Sequence, residues 1–273
     1  MSRIDRVFES LKEEGRKALI PYIAAGDPDL DTTNDLILEL EAQGADIIEL
    51  GIPFSDPIAD GPTIQKASMR ALEGGVKVKK VLGLINKIRG RKSESYRGVE
   101  TPIVVMSYYN PILHYGPERF VRELVSCGGD GIIIPDLPPD EADEILSAGK
   151  KHGIDIIFLL APTSSRERTK IICDASSGYI YYVSVLGVTG ARDYLSTSLE
   201  EKVRFIRKFT KKPIAVGFGI STPAQVRAVA SVADGVIVGS ALIKVIEENL
   251  KSQNLTKKVG GFLRELRKGI KEV

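Results

Sequence analysis

Residues 45–62 read Ala45-Asp46-Ile47-Ile48-Glu49-Leu50-Gly51-Ile52-Pro53-Phe54-Ser55-Asp56-Pro57-Ile58-Ala59-Asp60-Gly61-Pro62. The first part is a short apolar run rich in β-branched residues, which reads as a buried strand. It ends on Glu49, a carboxylate that is costly in such a place unless it is paired or used. The loop behind it carries Asp56 and Asp60 and is stiffened by Pro53, Pro57 and Pro62. A helical pattern follows over residues 65–73. A strand, a stiff acidic loop and a helix make the unit from which an acid–base site at the mouth of an α/β barrel is built.

Outward from this stretch the same alternation recurs eight times. Strands are expected at residues 19–24, 46–50, 102–106, 131–134, 155–160, 179–184, 213–217 and 235–238. They are unalternating and rich in Ile and Val, as strands buried on both faces should be. Helices are expected at 32–43, 117–127, 139–151, 165–175, 199–209 and 223–231. Pro117, Pro139 and Pro223 suit first turns, and Gly44, Gly128 and Gly153 suit helix ends. The second unit is overlong, with helical patterns at both 65–73 and 79–89. Residues 3–14 read as an extra helix capping the bottom of the barrel. Residues 186–197 are polar and aperiodic, and form a candidate lid. Eight units without a break in composition predict a single (β/α)8 TIM-barrel domain over residues 1–273. It has an extra N-terminal helix and an extended β2–α2 connection; an open doubly wound sheet is the alternative.

Bulk composition narrows the function. The chain has 273 residues, about the length of one α/β barrel, and a formal charge of +2 from 38 basic and 36 acidic residues. That balance argues against a nucleic-acid surface or a membrane face. The densest basic cluster, Arg89-Gly90-Arg91-Lys92, reads as a solvated connector. Cys127 and Cys173 read as free thiols in helices, without metal-ligand spacing. No apolar signal region or 18-residue apolar stretch is present, so the cytosol is the expected compartment.

Barrel active sites lie at the C-terminal strand ends. Those ends offer Asp27, Glu49, Asp56, Asp60, Tyr108, Asn110, Asp136, Thr163, Tyr179, Tyr181 and Ser184. No lysine lies on or directly after a strand, which disfavours a Schiff base. His114 lies several residues past the third strand and reads as solvated or helix-capping. Proton transfer therefore falls to carboxylates and tyrosines. Asp60 could instead cap a helix before Gly61-Pro62, Asp136 could cap near Pro138-Pro139, Glu49 could form a salt bridge, and Tyr181 could be packing alone. Gly217-Phe218-Gly219 and Gly239-Ser240 follow the last two strands, with Ser240 opening a helix. Such turns expose backbone N–H groups to a phosphate at a helix N-terminus, and Gly187–Gly190 could add donors.

These residues resemble the tryptophan synthase alpha subunit family over nearly the whole chain. The resemblance rests on residues 49–65, Ala25-Gly26-Asp27-Pro28, Tyr108-Tyr109-Asn110-Pro111, Pro135-Asp136-Leu137-Pro138, Gly187-Val188-Thr189-Gly190, Gly217-Phe218-Gly219-Ile220 and Gly239-Ser240-Ala241. It implies retro-aldol cleavage of indole-3-glycerol phosphate to indole and glyceraldehyde 3-phosphate. It also implies a beta subunit in an alpha2beta2 heterotetramer, with the PLP in that partner and no cofactor or metal in this chain. By resemblance Glu49 is the proton shuttle, Asp60 receives the indole N–H, and Tyr181 positions Glu49. Gly190, Phe218, Gly219, Gly239 and Ser240 match the phosphate site, while Tyr22, Tyr108, Leu137 and Phe218 match the indole slot. Another phosphate-binding barrel, such as indole-3-glycerol phosphate synthase, and a catalytically weak allosteric subunit are the competing expectations.

Overall fold

A computed structural model describes the chain except residues 91–97, 185–191, 218 and 272–273; of residues 192–197 and 271 it describes the backbone alone. The elements run α1 (Arg3–Glu13), β1 (Ala18–Ala24), α2 (Leu30–Ala42), β2 (Ile48–Gly51), α3 (Pro62–Glu73), α4 (Val78–Gly90), β3 (Ile103–Met106), α5 (Tyr109–Tyr115) and α6 (Pro117–Ser126). They continue with β4 (Gly131–Ile133), a 3-10 turn (Pro139–Glu141), α7 (Asp143–His152), β5 (Asp155–Ile157), β6 (Leu159–Leu160), α8 (Arg166–Ala175) and β7 (Ile180–Val183). The last are α9 (Arg192–Ile206), β8 (Ile214–Gly217), α10 (Pro223–Ala230), β9 (Gly235–Val238), α11 (Ser240–Glu248) and α12 (Leu255–Lys271).

The strands pair in the order β5-β4-β3-β2-β1-β9-β8-β7-β6, all parallel. β5 and β6 are the two halves of one expected strand, 155–160, divided at Phe158. The first half pairs with β4 and the second with β7, so this one segment joins the two edges into a nearly closed barrel. At the division the Phe158 amide donates to Ser176 Oγ (3.3 Å). The eight expected β–α units are present, and an open sheet is excluded by the pairing at both edges.

Side chains alternate between two cores, as the period of two along a strand requires. Outward residues such as Leu19, Ile48, Val105 and Val236 pack beneath the helices. Inward residues, including Ala18, Ile20, Ile47, Val104, Ile133, Ile157 and Ala215, fill the lower barrel. α1 plugs the bottom, as expected. Ser2 caps it by accepting from the Asp5 amide while the Asp5 side chain accepts from the Ser2 amide, a reciprocal box. Its Ile4, Phe8 and Leu11, spaced by four and three residues, enter the inner core.

Several boundaries differ from expectation. β2 starts at Ile48 rather than 46, because Asp46 turns to accept from the Leu19 amide (2.8 Å). α2 starts at Leu30, two residues early, because Asp29 caps it through the Thr32 amide. The helix expected at 139–151 breaks into a 3-10 turn and α7. α9 begins at Arg192 instead of 199, so residues 192–197 of the expected aperiodic lid are helical; residues 186–191 of that lid lie outside the described residues. Arg89 is not a solvated connector. Its guanidinium pairs with Asp130 (2.6 Å) and donates to the carbonyl of Gly128 (2.9 Å), tying α4 to the start of β4. Arg91 and Lys92 lie outside the described residues.

Candidate active site

Above the packed layers the barrel opens into a cavity of about 430 Å3 at the C-terminal strand ends. Register sets what faces it. Tyr22 on β1 is opposite Glu49 on β2, which is opposite Val104 on β3. Glu49 lies two residues beyond the inward Ile47, so its side chain also points inward, one layer higher. Tyr179 and Tyr181 are related in the same way at the start of the β7 segment.

Glu49 has no exposed surface. Its Oε1 accepts a hydrogen bond from the Tyr179 hydroxyl (2.9 Å), and its Oε2 has no partner among the described residues. No cation pairs with it there, so the salt-bridge alternative is not realised. Burial pushes its carboxyl up to about 8, while the Tyr179 hydrogen bond pulls the other way. At neutral pH Glu49 is thus mostly a neutral acid, with one oxygen accepting from Tyr179 and the other able to carry the proton. Tyr22 and Tyr181 line the cavity and lie within electrostatic reach of Glu49, which itself does not line it. The Tyr22 ring fits because Gly51 lacks a side chain: a Cβ there would sit 2.2 Å from the Tyr22 hydroxyl oxygen.

Asp60 forms part of the cavity wall. Its Oδ2 accepts from the Tyr108 hydroxyl (3.1 Å), and that hydroxyl oxygen accepts from the Ala59 amide (2.9 Å). Tyr108 also packs on Phe54 with ring centroids 5.4 Å apart. One tyrosine on the β3 side therefore pins the loop after β2. Asp60 does not cap α3; Gly61 occupies the N-cap without a side-chain bond. Burial raises the Asp60 carboxyl above its ordinary value, and the Tyr108 hydrogen bond lowers it.

On the far wall Gly219, Gly239 and Ser240 line the same cavity. Gly219 has φ +73°, a conformation that favours glycine. Gly239 is the N-cap of α11 and Ser240 its first residue, so a helix N-terminus opens at the cavity. Gly190 and Phe218, expected at the phosphate site, lie outside the described residues.

The remaining expected residues fall elsewhere. Leu137 is buried in the outer core and does not line the cavity. Asp136 accepts from the Tyr109 amide (2.9 Å), so it caps α5 rather than the Pro138-Pro139 turn. His114 is exposed on α5. Cys173 is buried and Cys127 half-buried, both as free thiols. Among the described residues no group of three metal-ligating side chains is gathered, and no helix is long and apolar enough to cross a membrane. The direct bond from Tyr179 to Glu49 (2.9 Å) is not among the sequence expectations, which place Tyr181 there. The signal was present in Gly178-Tyr179-Ile180-Tyr181, whose spacing of two puts both tyrosines on the inner face.

With this geometry in place, comparisons with known proteins agree on one family. The family described as "Tryptophan synthase alpha chain" matches residues 8–271. A tryptophan synthase alpha chain from Geotalea uraniireducens (strain Rf4) is 50% identical over 273 residues, covering 100% of this chain and 99% of that protein. One from Caldanaerobacter subterraneus subsp. tengcongensis is 48% identical over 267 residues, covering 98% and 99%. The crystal structure of tryptophan synthase subunit alpha from Legionella pneumophila str. Paris superposes with a TM-score of 0.90 at 40% identity, covering 100% of both chains. A chain of M. tuberculosis tryptophan synthase in its aminoacrylate-bound form gives 0.86 at 37% identity, covering 99% of this chain and 100% of that one.

Proposed function

Because the chain belongs to the tryptophan synthase alpha chain family, lyases that cleave indole-3-glycerol phosphate, we propose that Glu49 is the proton donor that drives the cleavage. The substrate's phosphate sits at Gly219, Gly239 and the N-terminus of α11, with Gly190 and Phe218 completing that site. Its indole lies across the cavity toward Tyr22 and Asp60.

The chemistry follows from the two carboxyl groups. Breaking the bond between indole C3 and the glycerol carbon needs the ring to accept the bonding electrons. Neutral Glu49 rotates from Tyr179 into the cavity and delivers its proton to C3, leaving a cationic ring. Asp60, as the carboxylate, accepts the ring N–H and stabilises that cation. Glu49, now charged, takes the proton of the hydroxyl on the carbon bonded to C3. The carbon–carbon bond breaks, its electrons restore the indole, and the glycerol portion leaves as glyceraldehyde 3-phosphate. Glu49 ends protonated, ready for another cycle. Tyr179 and Tyr181 act as positioning residues, one bonded to the carboxyl and the other in the wall between it and the substrate. Two carboxyl groups held apart in pKa by their surroundings can take the acid and the anion roles together.

The observation that carries this reading is the buried Glu49, bonded by Tyr179 and paired with no cation among the described residues, beside a cavity with Asp60 on one wall and a helix N-terminus on the other. Indole passes to a beta subunit that holds the PLP, in an alpha2beta2 assembly. This chain itself, one barrel domain working in the cytoplasm, takes no cofactor. The test is Glu49→Gln. Indole release should fall at least ~100-fold, the typical worth of general acid catalysis. Calorimetric affinity for an indole alkyl phosphate lacking the glycerol hydroxyls should persist. Near-normal turnover would remove Glu49 from the mechanism.

A further inference from the structure

The barrel end opposite the active centre carries a second cavity, of about 360 Å3. It lies where residues 12–17 lead from α1 into β1 and where residues 207–213 lead from α9 into β8, at the N-terminal ends of the strands. Its apolar lining is Phe8, Leu11 and Pro213. The rest is dominated by Lys12, Arg16, Lys17, Arg207 and Lys211, with Asp234 the one carboxylate among the lining residues.

Local pairing does not consume this charge. Asp234 is shared between Lys17 (3.8 Å) and Arg207, and it also accepts from the Ile214 amide (2.8 Å). Arg16 is held from outside the cavity lining by Glu14 (2.6 Å) and Asp46 (3.6 Å). Lys12 and Lys211 form no ion pair among the described residues, although they come from separate elements and line one hollow. Like charges gathered on a concave surface repel one another and raise the local concentration of anions. The apolar lining adds area on which the body of an organic molecule can be desolvated.

We propose that this cavity binds a small phosphorylated organic molecule. Lys12 and Lys211 face its dianionic phosphate, and Phe8, Leu11 and Pro213 take its apolar body. A phosphate monoester suits the site better than a monocarboxylate, because two unpaired cations match its double charge.

Phenyl phosphate is a suitable probe, with the full chain carrying labelled Leu and Ile methyl groups. Leu11 reports on this cavity and Ile64 on the active-site cavity, so binding at the two ends is resolved within one titration. The Leu11 methyls should shift saturably. In Lys12→Glu/Lys211→Glu that response should weaken at least ~10-fold through reversal of two nearby charges, and any response at Ile64 should be unchanged. Raising the ionic strength should weaken the Leu11 response as well. An unmoved Leu11, or equal affinity at Leu11 in the double variant with an intact spectrum, would overturn the site.

Discussion

Glu49 is a buried carboxyl, a structural burden that the proposed mechanism uses as its reagent. Its carboxyl is raised by burial to about 8 and held lower than burial alone would set it by the Tyr179 hydroxyl. Tyr179→Phe removes a hydrogen bond that favours the charged form, so the Glu49 pKa should rise further. The alkaline limb of the kcat/KM profile should then move to higher pH, with binding of an indole alkyl phosphate little changed; an unmoved limb would deny Tyr179 this role. The same shift bears on stability. A carboxyl whose pKa is higher folded than unfolded binds more protons in the folded state. Its favourable contribution is complete below the unfolded value near 4.5 and is lost as pH rises through about 8. Glu49→Gln should therefore gain thermal stability over the native chain from pH 5 to about 9, with the gap widening across that interval. The sequence displayed Glu49 and Asp60 plainly, because a carboxylate at a strand end and another on a proline-rich loop are conspicuous. It did not display which of two inward tyrosines reaches Glu49, since that depends on depth within the barrel, and Tyr179 lies one layer below Tyr181.

At the scale of elements, strand count and order were legible because buried parallel strands make apolar runs between helix-ending glycines. Boundaries were less so, and the shifts at β2 and α2 each have a local cause. Asp46 looked like the start of a strand but bonds the Leu19 amide, and Asp29 opened α2 early. The division at Phe158 could not be read from a continuous apolar run, because the two halves pair with different neighbours. α1, expected over residues 3–14, is present as Arg3–Glu13, and its Ile4, Phe8 and Leu11 enter the inner core. Its burial predicts that Phe8→Ala destabilises the chain by about 3 kcal/mol, the usual cost of emptying a large aromatic site. Chemical denaturation measures this directly; a loss under about 1 kcal/mol would mean that α1 is not part of the inner core. On the opposite face, Ser240→Asp at the first residue of α11 should weaken binding of glycerol phosphates at least ~10-fold by charge repulsion. Calorimetry with unchanged affinity would move the phosphate elsewhere.

At the scale of the molecule, the barrel carries a cavity at each end. The lower end is closed by α1 and bears the basic hollow, whereas the upper cavity brings together Asp60, Tyr22, Tyr181, Gly219, Gly239 and Ser240, the groups proposed to bind the substrate. The loop that supplies Asp60 also presents Ile58, 84% exposed and the most exposed large apolar side chain among the described residues. A beta subunit seated over this loop would cover Ile58 while closing the cavity. Ile58→Asp should then lower affinity for that partner at least ~10-fold without altering the melting temperature of the chain alone. In the proposed mechanism, cleavage begins with a proton held by a buried, neutral Glu49. The most direct test of this step is the pH dependence of kcat/KM for indole release, measured on the chain saturated with beta subunit. Activity should fall tenfold per pH unit above a pKa near 8. A rate that stays level through pH 10, or one that rises as Glu49 ionises, would contradict it.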